Sequence, residues 1–378
     1  MKSNVRWLVA LAVVLAMGPG DVSRAAESEY EKEQRAAAAA RAKDPLWKPS
    51  CNEAGVIQIG DSKSRGALRN FCLNAEGNIL ACFAPTGATK SSAAENGPGI
   101  RVYSPAGKLL KTTPVEFKPT AISVAKDGSL FVGGDGQVIK LDAAGKVVAS
   151  APSPVAKDEI VISSEVEEMV KETVKETKGS FKDELRRMKE TMERRRSDVT
   201  GLAVTDQDVF ISVPSTTDFT YRIYRFDHEL KNPKLVVEKL RGCCGQMDIQ
   251  AHEDKLWIPH NARHAVESRD RDGKELSKFG KAGRIKAADF GGCCEPKNMR
   301  VLADGDLLVA ESGPPTCIKR FTADGKFKQV VAVVDGAKGD CVRVTVAMSP
   351  DGKSYYMLDT TRDAIRVFKP KKIGRAHV

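Results

Sequence analysis

The sequence is poor in aromatic residues, in cysteine and in long apolar runs. Aromatic residues make up 6% of the 378 residues, and the nine cysteines are too few for a small disulfide-rich scaffold. Because nine is an odd number, the cysteines cannot all pair within one chain. The apolar run at residues 7–17 is shorter than the roughly 20 residues that a membrane-spanning helix needs, and no later run is longer. These shortages exclude a disulfide miniprotein and disfavour a membrane protein.

The chain also lacks an excess of one charge and the common catalytic motifs. Lys and Arg total 60 against 50 Asp and Glu, with the two signs interspersed, so we expect no nucleic-acid partner. No Gly-x-Ser-x-Gly, phosphate-binding loop or His-Glu-x-x-His occurs, and the usual hydrolase and nucleotide-enzyme interpretations therefore lack support. The apolar content of 41% is still sufficient for a sizeable core in a chain of this length.

The two ends of the chain differ from the rest. Basic residues precede the first apolar run, and Ser23-Arg24-Ala25 after it forms a small-x-small cleavage site. This layout predicts a signal peptide over residues 1–25, export to the periplasm or the extracellular space, and no transmembrane anchor after cleavage. Residues 26–54 are charged and rich in alanine, which predicts a linker. Residues 373–378 resemble a translated sequencing adapter, which indicates a non-native tail.

A repeated segment determines the predicted fold. An apolar stretch, an acidic residue with glycine and a second apolar stretch recur, as in Ala121-Ile-Ser-Val-Ala-Lys-Asp-Gly128-Ser-Leu-Phe-Val and Met299-Arg-Val-Leu-Ala-Asp-Gly305-Asp-Leu-Leu-Val. The turns lie about 50 residues apart, with one gap of about 80. Four short strands per repeat, six times over, are typical of a β-propeller. We therefore predict an all-β, six-bladed β-propeller over residues 55–372.

The repeats also resemble those of known propellers. They look like NHL-type repeats, and Ala347-Met-Ser-Pro-Asp-Gly-Lys-Ser-Tyr-Tyr-Met-Leu-Asp359-Thr360 is similar to the gluconolactonase and regucalcin family. The resemblance covers about residues 55–370 at the level of the repeat pattern. It implies the propeller fold, which hosts lyases, lactonases and many pure binding modules. The regucalcin-type pattern usually has an Asn before this strand, where the chain has Arg343-Val-Thr345.

Two further features complete the predicted ring. The last repeat has three strands, and Gly55-Val-Ile-Gln-Ile-Gly60 supplies a fourth that closes the ring; a truncated C-terminus is the alternative explanation. Residues 157–198 change to a helical period, with Ser164 and Glu167 as a capping box. This predicts a helical hairpin inserted between blades two and three. The hairpin would act as a lid or as a partner-docking arm. The alternative is a solvent-exposed insertion whose two helices pack their apolar faces against each other.

Six of the nine cysteines fall in the last three repeats. Since the first two strands of a blade are antiparallel, the start of the first and the end of the second lie at one rim of the ring. Repeat alignment places five of these six cysteines at the starts of blades four to six and Cys317 in the loop just beyond Glu311. His260, Glu311 and Asp359 end the matching second strands at the same rim. The ligand or metal candidates are Cys243, Cys244, Cys293, Cys294, Cys317, Cys341, His260, Glu311 and Asp359. The residues predicted to line the channel below them are Asn70, Asp248, Asn298 and Thr345.

Three interpretations of the cysteines stay open at this point. Inter-blade disulfides are one, because an exported protein is readily oxidised. A soft-metal or redox-cofactor site is the second, since thiolates bind copper, zinc and iron–sulfur centres. Vicinal disulfides within Cys243–Cys244 and Cys293–Cys294 are the third. Adjacent Cα atoms lie about 3.8 Å apart, below the usual disulfide range, so such a ring is strained and suits a redox switch or a ligand platform.

These observations lead to three functional hypotheses. The first is binding of a small-molecule ligand, a soft metal, a redox cofactor or a protein partner at the channel mouth, on the cysteine-rich face of blades four to six. The second, implied by the gluconolactonase resemblance, is a lyase or lactonase that uses His260, Glu311 and Asp359 around a divalent cation such as calcium. The third is a protein-interaction scaffold with structural disulfides.

Overall fold

The chain folds into six four-stranded antiparallel sheets, which confirms the predicted six-bladed β-propeller. The computed structural model describes residues 29–60, 67–85, 97–242, 245–334 and 342–371. The predicted signal peptide and the predicted tail lie outside these residues, as do Cys243, Cys244 and Cys341.

Blades one to three follow one another along the chain, and the first strand of each lies nearest the channel. Blade one consists of β2 (Leu68–Leu73), β3 (Ile79–Phe83), β4 (Gly99–Tyr103) and β5 (Leu109–Pro114). Blade two consists of β6 (Ala121–Val124), β7 (Leu130–Gly134), β8 (Gln137–Leu141) and β9 (Val147–Pro152). Blade three consists of β10 (Gly201–Val204), β11 (Val209–Pro214), β12 (Thr220–Phe226) and β13 (Lys234–Arg241).

Blades four to six repeat this order, except that the outer strand of blade six comes from the N-terminal part of the chain. Blade four consists of β14 (Gln250–His252), β15 (Lys255–His260), β16 (Ala265–Arg269) and β17 (Glu275–Phe279). Blade five consists of β18 (Asn298–Val301), β19 (Leu307–Glu311), β20 (Cys317–Phe321) and β21 (Phe327–Val333). Blade six consists of β22 (Val346–Met348), β23 (Tyr355–Asp359), β24 (Ala364–Pro370) and β1 (Cys51–Gln58).

The repeat seen in the sequence is the first hairpin of each blade. Gly77, Gly128, Gly305 and Gly352 have φ values of +78°, +83°, +81° and +69°, in the left-handed region that favours glycine. The second strands β3, β7 and β19 are buried along their whole length, because both of their faces contact neighbouring blades.

The hydrophobic core is divided into six clusters, and each cluster lies between two adjacent blades. Phe71 of blade one packs with Ile365 of blade six in one of them. Cys51 and Cys82 are buried in two others, where they pack as small apolar side chains. Every blade therefore depends on both neighbours for the burial of its faces.

The ring closes where β1 pairs with β24. Ile57 lies opposite Ile365, and Cys51 lies opposite Pro370. The strand begins at Cys51, four residues before the predicted Gly55, because the pairing with β24 continues to that point. The closing strand predicted from the N-terminal part of the chain is therefore present.

A helix precedes the closing strand, within the segment predicted as a linker. Helix α1 (Glu29–Lys43) has acidic residues in its first turn, basic residues in its last turn and an alanine-rich centre, all of which favour a helix. Arg41 Nη1 donates to the carbonyl oxygen of Arg284 at 2.6 Å, and Trp47 Nε1 donates to that of Ile285 at 2.6 Å. The N-terminal segment is thus held against the connection between blades four and five. Within the described ranges, no helix has the length and apolarity that crossing a membrane requires.

The predicted helical hairpin is present between blades two and three. It consists of α2 (Ser164–Thr177) and α3 (Phe181–Arg195). The N-cap of α2 is Ser163, one residue before the predicted Ser164, because the Ser163 hydroxyl accepts from the amide of Val166 at 3.4 Å. Val170 and Met192 are buried. Arg195 Nη2 donates to the Tyr221 hydroxyl at 2.7 Å and joins the hairpin base to blade three.

Ring closure can be tested at two neighbouring positions of β1. Ile57 is 7% exposed in the cluster between blades six and one, whereas Val56 is 45% exposed. We expect Ile57→Ala to lower the free energy of unfolding by about 2–4 kcal/mol, because it leaves a cavity in that cluster. The matched change Val56→Ala should stay within about 0.5 kcal/mol of the parent. Denaturant unfolding measures both, and equal effects would contradict a closing role for the buried face of β1.

Candidate functional site

The structure places the described candidates where repeat alignment predicted them, at the rim where first strands begin and second strands end. His260, Glu311 and Asp359 are the last residues of β15, β19 and β23. Cys293 and Cys294 lie in the loop before β18. The loop and the three strand ends therefore share one rim of the ring, but each candidate side chain has its own set of contacts.

The described cysteine pair lies beside a buried lysine. Cys293 is exposed, and Cys294 is 1% exposed. Their Sγ atoms are 3.2 Å apart, which is longer than the roughly 2.05 Å of a disulfide bond. Lys297 is fully buried, and its Nζ donates to Cys294 Sγ at 2.7 Å. A cation against a cysteine sulfur favours the thiolate form, which is the nucleophilic form.

Glu295 is a buried carboxyl group next to this pair. Its Oε1 accepts from the amide of Ser312 at 3.0 Å, from the Ser312 hydroxyl at 2.7 Å and from the amide of Gly313 at 2.7 Å. Its Oε2 is buried and has no hydrogen-bond partner. Burial raises the pKa of Glu295 well above its ordinary value; Lys297 opposes this rise, and the charges of Glu311 and Cys294 add to it. The hydrogen bond from the Ser312 side chain opposes the rise as well.

Glu311 is engaged by a lysine from the next strand. It is 3% exposed and forms an ion pair with Lys319, while its Oε2 accepts from the amide of Gly291 at 2.6 Å. Lys319 Nζ also donates to the carbonyl oxygen of Asp289 at 2.7 Å and lies 4.9 Å from the centre of the Trp47 ring. This carboxylate thus already has a cation, and the N-terminal segment covers that cation.

The other described cysteines behave as buried thiols. Burial raises the pKa of Cys72 to about 12, and it raises that of Cys82 well above the ordinary value. Burial, followed by the negative charge of Glu311, likewise raises the pKa of Cys317. No disulfide involves Cys51, Cys72, Cys82 or Cys317. Structural cysteines of this kind are chemically inert in comparison with a partly exposed thiolate.

His260 makes one hydrogen bond to the end of blade three and one within blade four. Its Nε2 accepts from the amide of Arg241 at 3.1 Å, so Nδ1 carries the proton and donates to Glu267 Oε1 at 2.8 Å. Glu267 also accepts from Arg269 at 2.7 Å. Burial opposes ionisation, but these hydrogen bonds and charges outweigh it and lower the pKa of Glu267 to about 2. Both ring nitrogens of His260 are therefore used, one in contact with blade three and one within blade four.

Asp359 is tied to a neighbouring strand of blade six. Its Oδ2 accepts from Arg366 Nε at 2.8 Å, and its Oδ1 accepts from the Thr361 hydroxyl at 2.7 Å. Burial acts to raise the pKa of Asp359, but the contacts with Thr361 and Arg366 outweigh burial and lower it. A cavity of about 20 Å³ adjoins these residues and Arg343. A cavity of that size holds about one water molecule.

The predicted channel residues form a hydrogen-bonded belt. Asn298 donates to Asp248, and Thr345 donates to Asn70 at 2.9 Å. Asp248 also pairs with Arg300 at 3.0 Å. Burial raises the pKa of Asp248, although the charge and the hydrogen bond of Arg300 oppose the rise. The belt joins residues at the first strands of adjacent blades around the channel.

An arginine that repeat alignment did not select lies at the channel mouth. Arg343 Nη1 donates to the carbonyl oxygen of Thr120 at 3.2 Å, and Nη2 donates to that of Gly245 at 3.0 Å. One side chain from the start of blade six thus reaches the starts of blades two and four. The flanking Val344 exchanges two hydrogen bonds with the Gln246 side chain, at 2.7 and 3.2 Å.

The site residues that the sequence did not identify are mostly basic residues that contact the predicted site residues. Lys297 comes directly before β18, and Arg343 comes shortly before β22, so both occupy the rim position that identified the cysteines. A search of that position for charged residues as well as cysteines would have found them. Lys319 lies inside β20. The alternation of side chains along a strand predicts only whether such a residue lies in the core or at the surface, and does not indicate a site residue.

The metal interpretations receive no added support from the described parts of the chain. Within them, no three His, Cys, Asp or Glu side chains come together as a group that could hold a metal ion. His260, Glu311 and Asp359 each have a partner from their own blade, as described above. The copper, zinc, iron–sulfur and calcium hypotheses thus stay predictions from the sequence.

Comparison with known proteins gives no family for this chain. No protein-family model matches the chain, and no curated protein matches it in sequence. A protein assigned as a gluconolactonase is 11% identical with a TM-score of 0.49, covering 88% of this chain and 97% of that chain. A chain in the mitotic checkpoint complex is 11% identical with a TM-score of 0.46, covering 86% and 97%. A protein of unknown function from Bacteroides caccae is 12% identical with a TM-score of 0.45, covering 72% and 83%.

The His260–Glu267 contact predicts a specific acid sensitivity. Because the pKa of Glu267 is lowered from 4.5 to about 2, its stabilising effect is complete above pH 4.5 and is lost as the pH falls toward 2. We expect the parent to lose on the order of 2 kcal/mol more unfolding free energy over this range than Glu267→Gln does. Denaturant unfolding at several pH values measures the difference. Glu275→Gln, at an exposed position on β17, should follow the parent; parallel curves for parent and Glu267→Gln would contradict the assignment.

Proposed function

We propose that this propeller is an exported ligand-binding protein whose cysteine-rich rim carries a redox-active pair, Cys293 and Cys294. The observation that carries the proposal is the 3.2 Å separation of the two Sγ atoms, with Lys297 Nζ 2.7 Å from one of them. Closing this gap to about 2.05 Å forms a vicinal disulfide. Ligand access at the rim then depends on whether the pair is a dithiol or a disulfide.

The two sulfurs divide the chemistry between them. Cys293 is exposed and can meet a reagent from solvent, whereas Cys294 is buried against the Lys297 ammonium. Lys297 favours a thiolate at Cys294, which attacks the sulfur of a mixed disulfide formed at Cys293. The strain of a ring between adjacent cysteines makes the product easy to reduce. These properties suit a reversible switch better than a permanent structural bond.

The chemistry balances with a small-molecule disulfide as oxidant. One Cys293 thiol exchanges with the reagent, forming a mixed disulfide and releasing one small-molecule thiol. Cys294 then attacks the Cys293 sulfur, forming the vicinal disulfide and releasing the second thiol. The two cysteines lose two electrons and two protons, and the reagent gains both. Export, which the N-terminal sequence predicts, supplies an oxidising compartment in which this exchange takes place.

The pair can be followed on a single peptide. Cleavage after Lys286 and Lys297 releases residues 287–297, which contain Cys293 and Cys294 and no other cysteine. After treatment of the folded protein with oxidised glutathione, we expect mass spectrometry to find this peptide lighter by two hydrogens. Cys294→Ser should instead accumulate the mixed disulfide at Cys293. Lys297→Met should slow closure about tenfold, because it removes the cation that favours the thiolate.

Cys72→Ala is the matched control, since Cys72 is a buried thiol outside the pair. It should leave the rate of closure unchanged. A peptide that stays fully reduced in the folded protein would overturn the redox proposal. Tight binding of copper or zinc to the reduced pair, with no disulfide formed on oxidation, would replace it with the soft-metal hypothesis.

A further inference from the structure

Guanidinium groups from three parts of the chain gather at the channel mouth. Arg343 comes from the start of blade six, Arg69 from β2 and Arg195 from the end of α3. Thr120 connects the three segments. Its carbonyl oxygen accepts from Arg343 and from the side chain of Asn70, next to Arg69, and its hydroxyl donates to the carbonyl oxygen of Val199, shortly after α3. The cysteine pair on blade five takes no part in this group.

Arg343 occupies the centre of the group. It is partly exposed, and both of its terminal nitrogens donate to backbone carbonyl oxygens of other blades. Within the described ranges, no carboxylate lies close enough to form an ion pair with it. Two uncharged acceptors thus fix the direction of the guanidinium without forming an ion pair.

Arg195 is fixed in place and retains an unused donor. Its Nη2 donates to the Tyr221 hydroxyl at 2.7 Å, and its guanidinium lies 5.3 Å from the Tyr221 ring centre and 5.8 Å from that of Phe219. Its Nε is buried and has no hydrogen-bond partner. A buried N–H without an acceptor costs free energy unless a ligand supplies the acceptor. This is an independent indication that an acceptor belongs here.

The acidic residues nearby do not neutralise the three arginines. Asp198 forms no ion pair with another described residue; burial raises its pKa, and the charges of Arg343 and Arg195 oppose this rise. Asp135 is exposed and accepts from the amide of Lys118 at 2.9 Å. Asp248, below the mouth, is already paired with Arg300. Among the described residues, the three arginines therefore outnumber the two carboxylates without an ion pair, Asp198 and Asp135.

We propose that the channel mouth binds a small oxyanion, a phosphate or carboxylate group, between Arg343, Arg195 and Arg69. Guanidinium groups bind such anions through charge-assisted hydrogen bonds, and their planar geometry suits two oxygens at once. The ligand group is small, because the single Arg343 side chain already spans the mouth from Thr120 to Gly245. The site goes beyond the proposed redox function and does not require the cysteines.

The experiment titrates the whole protein with inorganic phosphate and, separately, with succinate, using isothermal calorimetry at low ionic strength. Saturable binding of phosphate alone identifies a phosphate site, and binding of succinate alone identifies a carboxylate site. Binding of both supports a general oxyanion site. The absence of saturable binding for both anions overturns the proposal. Repeating the titration on Cys293→Ser separates this site from the redox pair, because the variant should bind as the parent does.

Substitutions of opposite charge should act in opposite directions. We expect Arg343→Gln and Arg69→Gln each to weaken binding about tenfold, the effect of one charge-assisted hydrogen bond. Asp198→Asn should strengthen it about threefold, because it removes a nearby negative charge. Arg69 is exposed, so its variant tests the site even if Arg343→Gln unfolds the mouth.

The matched control is Arg263→Gln, which removes an exposed arginine from the turn after β15 on the same rim. It should leave anion binding within twofold of the parent. An equal loss of binding in Arg263→Gln, or weaker binding in Asp198→Asn, overturns the proposal. Either result means that general surface charge or structural damage determines the measured heat of binding.

Discussion

The closure of the ring by β1 and β24 is the constraint on which the rest of the structure depends. Each of the six apolar clusters lies between two blades, so no blade can bury both faces by itself. Closure supplies the last of these interfaces and also sets the spacing of the first strands around the channel. The contacts that Arg343 and Gln246 make across the mouth exist because this spacing is fixed.

Blade five shows how the same constraint concentrates charge. Glu295, Glu311, Lys297 and Lys319 are all almost fully buried at one rim of a blade that has neighbours on both sides. Buried charges are tolerated when they are paired and hydrogen-bonded, and Glu311 with Lys319 satisfies that condition. Glu295 keeps one oxygen without a partner beside the cysteine pair. Such imperfect satisfaction is more typical of functional positions than of purely structural ones.

The fold could be predicted because its signals are local. A turn glycine such as Gly128 or Gly305 needs only its own backbone conformation, and the flanking apolar residues lie within a few positions of it. The predicted N-cap of α2 was wrong by one residue: Ser164 has Glu167 at capping-box spacing, but the Ser163 hydroxyl is the one that accepts from the first turn. The antiparallel rule also placed Cys293 and Cys294 at the correct rim.

The partners of the site residues could not be predicted, because they come from other strands or other blades. His260 depends on Glu267 across a hairpin, and Arg343 depends on carbonyl groups more than 90 residues away. Neither kind of contact produces a periodic pattern in the sequence. The burial that raises the pKa of Glu295 likewise arises only when the chain has folded.

The pairing of β1 with β24 has a consequence for the order of events during synthesis. Val56 and its partner Arg366 are separated by 310 residues, so closing this loop costs about 5 kcal/mol of chain entropy. The ribosome makes β1 first, yet β1 can find its place only after β24 has emerged. Until then the nascent chain is an open arc with two uncovered blade faces. The last strand to be translated therefore decides when the first one folds.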